Sequence, residues 1–339
     1  MELKALWKAG AAISLSLLFA NPGVAQEKLT PVRILEYPGS INQLVTWVQE
    51  EKGFCEKEGL KCEPIALQSG PLAQQAAAAG SIDLIHSTLD VMFQAVARGN
   101  DLMILGTLTP TNVFMLAERS AIVQKNLSYP QNVAALKGHR IGVSARGSGT
   151  ELFARALLRG AGLSVSDVTI IGVGAPPTAF PALISNRIDA LLLWDPIPAL
   201  CEATKKCEIT VDMRKGQGPK DISALGGNGN DVWQARREYV EKHPKAIDAF
   251  LRAQAAATKW MQDPKNFDEV YKIAEKHINI DIDVPDKGQL MKNIVKTGIG
   301  MAGNHFDKRA VTAFNNFLIA NGAIKEPINA DKVVYKNAP

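Results

Sequence analysis

Short apolar runs alternate with amphipathic stretches along this chain, and one such series is written twice. The first copy begins at Val32-Arg33-Ile34-Leu35 and passes the small-residue loop Pro38-Gly39-Ser40 and an amphipathic stretch. It turns at Gly59-Leu60 into Pro64-Ile65-Ala66-Leu67, and an alanine-rich segment leads on to Gly80-Ser81-Ile82-Asp83-Leu84-Ile85. The second copy begins at Lys137-Gly138-His139-Arg140-Ile141-Gly142-Val143 and has its loop at Arg146-Gly147-Ser148-Gly149. It continues through Gly162-Leu163, Val168-Thr169-Ile170-Ile171 and Pro181-Ala182-Leu183 to Asn186-Arg187-Ile188-Asp189-Ala190-Leu191. Apolar runs this short, set between helical patterns, predict buried strands of mostly parallel sheets. Two copies of one β-α-β design predict two Rossmann-like α/β lobes with a ligand cleft between them.

Gly59, Gly80 and Asn186 stand where helices end in left-handed geometry. Asn112-Val113-Phe114-Met115-Leu116-Ala117 reads as a strand leaving the first lobe. A return crossing is expected between Met213 and Asn230, with Val232-Trp233-Gln234-Ala235 as a strand back in the first lobe. Two crossings make a two-stranded hinge. The remainder is helical, with apolar positions at helical spacing in Ala246 to Leu251, Phe267 to Ala274 and Val311 to Leu318. The last ten residues read as a loose tail. The expected division is 1–25 leader, 26–118 first part of lobe 1, 119–215 lobe 2, and 216–339 return hinge, second part of lobe 1 and C-terminal helices.

The first 25 residues depart from this pattern. Lys4 and Lys8 precede an apolar run from Ala11 to Ala20, Asn21-Pro22 ends it, and Gly23-Val24-Ala25 supplies small residues. That is the form of a secretory signal peptide cleaved after Ala25. Its run of about ten residues is half of the ~20 that span a bilayer, and no cysteine follows the cut to carry a lipid. The 339-residue chain has a net charge of +4; losing Glu2, Lys4 and Lys8 with the leader leaves +3. With no Lys/Arg block, nothing marks a nucleic-acid partner. Export suits the four cysteines. Cys55 and Cys62 fall in one proposed lobe, Cys201 and Cys207 in the other. Local pairing closes a helix-to-strand turn in each, whereas cross-pairing would lock the lobes together. Neither spacing is that of a metal site.

In sheets of this kind, ligands lie beyond the carboxyl ends of the strands, where helix N-termini point. The loops there are small and polar. In the first lobe they are Tyr37-Pro38-Gly39-Ser40, Gln68-Ser69-Gly70-Pro71, Ser87-Thr88-Leu89-Asp90 and Thr107 to Asn112. In the second they are Arg146-Gly147-Ser148-Gly149-Thr150, Gly174 to Thr178 and Trp194-Asp195-Pro196. Hydroxyls and free amides at several helix N-termini make an anion site. The candidate ligand contacts are Tyr37, Ser40, Ser69, Gly70, Thr88, Thr111, Asn112, Arg146, Ser148, Gly149, Thr150, Trp194 and Asp195. Arg146 leads them: a guanidinium there would pair bidentately with a sulfonate, nitrate or carboxylate, the alternative being a solvated loop arginine. Trp194 reads either as an apolar wall for the ligand or as core. Asp195 either accepts from a ligand amine or caps the turn before Pro196. Tyr37 is placed to lean over the cleft. Asp83 and Asp189 hold equivalent repeat positions and read as structural turn residues.

Enzyme motifs fail. The chain has no G-x-x-x-x-G-K-[ST], H-E-x-x-H or G-x-S-x-G, and no Gly stands three beyond Gly149 to complete a dinucleotide fingerprint. The five histidines (His86, His139, His243, His277 and His305) are scattered. No metal, cofactor or catalytic residue is expected.

Several of these segments resemble the solute-binding proteins of ABC importers in the nitrate/sulfonate/taurine (NMT1/THI5-like) family. They are Phe54 to Leu60, the turn Ala79-Gly80-Ser81-Ile82-Asp83, the strand Leu136 to Val143, Trp194-Asp195-Pro196, and Tyr239 to Pro244. The resemblance implies a bilobal type II periplasmic-binding-protein fold that does not catalyse. It implies capture of a small, often oxyanion-bearing solute and delivery to an ABC permease in the inner membrane, the chain acting as a periplasmic monomer. The family's ligand contacts carry over to Ser69-Gly70, Thr88, Ser148-Gly149-Thr150 and Trp194. Tyr37-Pro38-Gly39-Ser40 and Asn228-Gly229-Asn230 depart from its pattern. They leave open a pyrimidine (thiamine-precursor) or aromatic carboxylate solute, or a pyrimidine-processing enzyme on the same fold.

Overall fold

The structure is a computed structural model in which residues 28–225 and 230–339 are described. The expected leader and Asn228-Gly229 lie outside these residues. The strands, in chain order, are β1 (Thr30–Glu36), β2 (Leu60–Ala66), β3 (Ile85–Thr88), β4 (Leu102–Thr109), β5 (Met115–Arg119), β6 (Arg140–Val143), β7 (Thr169–Gly172), β8 (Ala190–Leu193), β9 (Cys207–Asp212) and β10 (Asp231–Arg236). They form two sheets. In the first, β1 pairs in parallel with β2 and meets the approach to β3 at Ile34 and Leu84; β10 lies antiparallel between β3 and β4. In the second the order is β7-β6-β8-β5-β9, with β6 parallel to both neighbours and β5 antiparallel to β8 and β9.

The two orders are the same, each sheet having one antiparallel strand in fourth place. That strand is the one arriving from the other sheet: β5 follows β4 out of the first, and β10 follows β9 out of the second. The expected duplicated α/β lobes and two crossings are therefore present.

The duplication extends to single atoms. The backbone N and Nε of Arg33 donate to Asp83 Oδ2 at 2.9 Å, and its Nη2 to Oδ1 at 2.6 Å. Arg140 does the same to Asp189, at 2.9 Å for all three contacts, and Arg119 adds a fourth at 2.7 Å. These guanidinium contacts hold Asp189 well below the ordinary carboxylate range against the cost of its burial. Both aspartates fasten a strand start to the turn before its neighbour, the structural role expected of them. Gly59, Gly80 and Asn186 have φ of +75°, +72° and +65° at the predicted helix ends. Both local disulfides, Cys55–Cys62 and Cys201–Cys207, are formed.

Three expectations are corrected. β2 and β7 are edge strands whose residues are largely half-buried or exposed, because each has a neighbour on one side only. β9, expected only as the strand that follows the Cys201–Cys207 turn and not as part of the apolar series, closes the second sheet as an edge strand. The C-terminus is no loose tail. Tyr335 donates its amide to the Ile104 carbonyl of β4 at 2.8 Å, the Pro339 carbonyl accepts from Phe306 N at 2.7 Å, and Val333, Val334 and Tyr335 are buried. Tail and helix Pro244–Met261 both pack on β4. No helix among the described residues is long and apolar enough to cross a membrane.

Candidate functional site

The carboxyl ends of β1, β3, β6 and β8 converge between the lobes. They surround a small cleft of about 40 Å³. From the first lobe, Tyr37, Ser40, Asn42, Gly70, Ser87, Thr88 and Val91 line it; the crossings supply Val113, Phe114 and Asp231; the second lobe supplies Ser144, Ser148, Gly149, Thr150 and Trp194. Helices Gly70–Ala78, Leu89–Ala97 and Gly149–Gly160 all begin at this cleft. Their N-cap residues Ser69, Thr88 and Ser148 follow from the preference for hydroxyl side chains there. Only Ser148 closes the cap with its side chain, accepting from Glu151 N at 3.3 Å. At the start of helix Leu89–Ala97 the Leu89 amide donates to the Asn230 carbonyl at 3.0 Å, and Pro71 brings no amide to the first turn of helix Gly70–Ala78.

Aromatic rings make the apolar side. Tyr37 lies 6.0 Å from Trp194, and Trp194 6.5 Å from Phe114, measured between ring centroids. Tyr37 is clamped: its OH donates to the His86 carbonyl at 3.1 Å, and its backbone exchanges two bonds with the Gln43 side chain, at 2.8 and 2.7 Å. Burial pushes its phenol well above its ordinary value, so it remains neutral. On the opposite wall Thr150 Oγ1 accepts from Ser144 N at 2.9 Å and lies 2.7 Å from Ser148 Oγ.

One lining residue is acidic, Asp231, and a second acid, Asp90, lies behind Thr88 and Gly149. Asp231 enters at the start of β10, with His86 Nδ1 at 3.1 and 3.2 Å from its carboxylate oxygens. Asp90, in the first turn of helix Leu89–Ala97, is completely buried. Its carboxylate lies beside Thr88, with no partner for either oxygen in hydrogen-bonding geometry. Burial first, and the negative charge of Asp231 after it, push its carboxyl up to about 6, although Thr88 and nearby amides pull the other way. Asn42 Oδ1 and Trp194 Nε1, both on cleft-lining residues, also lack partners.

Of the predicted contacts, Tyr37, Ser40, Gly70, Thr88, Ser148, Gly149, Thr150 and Trp194 are brought together here. Ser69 is buried just behind as a helix cap. Asn112 is buried away from the cleft lining, its Oδ1 accepting from Phe114 N at 2.9 Å, and Thr111 is exposed at the crossing. Two predictions are corrected. Arg146 points outward, 58% exposed, with its guanidinium 3.1 Å from Glu151. The acid in the first turn of helix Gly149–Gly160 captures it, and the cleft has no arginine. Asp195 does not line the cleft. It is buried and accepts from Arg214 Nη1 at 2.7 Å, while Arg214 also holds Asp212 at 2.8 Å. Sequence reasoning missed Asn42, Ser87, Val91, Val113, Phe114, Ser144 and Asp231 as lining residues. Ser144 directly follows β6 and was open to the strand-end rule. Asp231 was hidden by direction: an antiparallel strand brings its first residue to the edge where parallel neighbours bring their last.

Two duplicated lobes, exchanging one strand each and closing over a small cleft, define a two-lobed solute-binding protein. The comparisons agree. A protein of Brucella abortus (strain 2308) named as a binding protein is 30% identical over 248 residues, 71% of this chain and 69% of its own. The taurine-binding periplasmic protein of Escherichia coli K12 is 24% identical, covering 67% of this chain and 68% of its own. The solved periplasmic nitrate-binding protein of Synechocystis PCC 6803 superposes with a TM-score of 0.70 at 17% identity, over 92% of this chain and 87% of its own. The chain belongs to the NMT1-like family, whose model matches residues 41–275. Its fold is that of the type II periplasmic binding proteins, and these relatives are binding proteins rather than enzymes.

Proposed function

We propose that this protein works in the periplasm as the monomeric receptor of an ABC importer. It captures one small organic solute between its lobes and hands it to the permease. The observation that carries the reading is the cleft itself, where polar strand-end loops of both lobes face each other across a small enclosed space. The acid end of the solute, a sulfonate or carboxylate, is held without any arginine. The Gly70 amide at the start of helix Gly70–Ala78, with the Ser40 hydroxyl, supplies donors, and the helix dipole favours the charge. A second reading, a pyrimidine or aromatic carboxylate solute, is favoured by the ring walls of Tyr37, Phe114 and Trp194. Ligand binding shifts the population toward the closed form.

A thermal-shift screen of the chain from Gln26 tests this. A true solute at 100 times its dissociation constant adds about 2.7 kcal/mol of stability. The shift should vanish in Gly149→Phe, which fills the cleft. A shift that survives the filled cleft contradicts the reading.

A further inference from the structure

Outside the cleft, a second crevice runs along the seam between the lobes. Its first-lobe wall is Pro38-Gly39, from the loop after β1, together with residues 278–282, which follow helix Phe267–His277. Its second-lobe wall includes Pro177, Phe180 and Leu200. The two walls touch at Gly39, where a Cβ would lie 2.7 Å from Pro177 Cγ.

Both parts of the first-lobe wall hang from one histidine. His277, the last residue of its helix, lies flat on Trp47, with ring centroids 4.5 Å apart and planes 8° apart. Its Nε2 is 3.0 Å from Glu51 Oε1, and its Nδ1 is 3.5 Å from Glu36 Oε1. Trp47 Nε1 donates to that same Glu36 oxygen at 3.0 Å. Glu36 ends β1 and leads directly into Tyr37-Pro38-Gly39, just as His277 leads directly into residues 278–282. One imidazole thus ties together two segments far apart in the chain.

The charges around this ring favour its protonated form. Glu36 faces it from β1, and Glu50 and Glu51 from helix Leu44–Glu51. Asp281 lines the crevice beside it. Lys276 pairs with Glu51, and Lys287, opening the next helix, donates to the Ile280 carbonyl at 3.3 Å. The second-lobe wall brings no titratable group among the described residues. Burial opposes the charge, but Glu36 and Glu51 outweigh it and raise His277 above the ordinary histidine value. His277 in turn holds the Glu36 carboxyl below its ordinary value. The contribution of the charged ring is therefore present at low pH and lost as pH rises through the raised value.

We propose that His277 is a pH-sensitive clasp on the seam between the lobes. Protonated, it fixes the Pro38-Gly39 loop and residues 278–282 as one wall against the second lobe; deprotonated, it releases them.

The test is an NMR titration of the unliganded mature chain from about pH 6 to about pH 9, the range in which a histidine changes charge. The His277 ring, the Gly39 amide and the Ile280 and Ile282 methyl groups should shift with one midpoint, above that of an ordinary histidine. In His277→Gln the Gly39 and isoleucine signals should stand still, at their high-pH wild-type positions. His277→Arg supplies a permanent planar cation that stacks on rings and pairs with carboxylates, and should hold them at their low-pH positions throughout. A His277 midpoint at or below the ordinary value overturns the inference, as do Gly39 and isoleucine signals that do not follow the ring. So does an arginine variant whose signals shift as the wild type's do, a result that stands even if the glutamine variant does not fold. No solute is present, so none of these results bears on the solute reading.

Discussion

Two buried acidic sites lie on either side of the cleft wall, and the protein treats them oppositely. At the end of β8, Asp195 and neighbouring Asp212 share Arg214, each within 2.8 Å of its guanidinium. Burial still holds the Asp195 carboxyl above its ordinary value, while the Arg214 contacts bring Asp212 below its own against the same cost. At the end of β3, Asp90 is as deeply buried, beside a second carboxylate, and has no cation. The fold contains the means to neutralise a buried acid and uses them at one place only. The paired site is architecture, binding the β8 loop to β9 and the start of the return crossing. The unpaired one lies behind the cleft lining, beside Thr88 and Gly149.

Breaking the paired site should have the largest effect. Arg214→Met leaves two buried carboxylates without a cation and should lower stability by about 3–5 kcal/mol, read from the urea midpoint. A loss under about 1 kcal/mol would mean that the pair is not structural.

Next comes Asp90→Asn, with the opposite sign. The folded chain holds the Asp90 proton to about pH 6, against an ordinary carboxylate value of 3.8. Between about pH 4 and pH 6 the unfolded chain releases this proton and the folded chain keeps it. Stability therefore falls as pH rises through that window and levels above it, by about 2–3 kcal/mol in all. Asp90→Asn should flatten this slope and stabilise the protein at pH 8. A substitution that costs stability at pH 8 would show that Asp90 is satisfied after all.

Gly149→Ala is gentler. Gly149 opens a helix and no positive φ demands glycine there, but its surroundings are closely packed, so the added methyl should cost about 1–3 kcal/mol of stability. The added Cβ meets Asp90 and Thr88 at 2.8 Å and should weaken solute binding about tenfold. Unchanged affinity would place the solute elsewhere.

The same contrast explains what was legible in the sequence. The repeat was plain, because a parallel strand, its loop and its turn are contiguous in the chain. Arg33–Asp83 and Arg140–Asp189 occupy matching positions, and their strands and turns could be aligned by eye. Eight lining residues followed from the strand-end rule alone. What stayed hidden depended on segments far apart in the chain. Asp231 reaches the floor only because β10 returns from the other lobe. The C-terminal residues are buried only because β4 is there to receive them. Arg146 was misread because its loop was weighed without Glu151, five residues on, whose carboxylate also accepts from Gly147 N at 2.6 Å and from Arg155. A guanidinium near a helix start belongs to the nearest first-turn acid before it belongs to a ligand.

The central claim is that the solute is held inside the cleft and not by the arginine at its rim. Calorimetric titration of one bound solute into the wild type, Arg146→Ala and Gly149→Phe tests it most directly. Arg146→Ala removes an exposed ion pair worth about 0–1 kcal/mol and should leave affinity within twofold, whereas Gly149→Phe should abolish binding. The reverse order, a large loss at Arg146 and none at Gly149, would contradict the account.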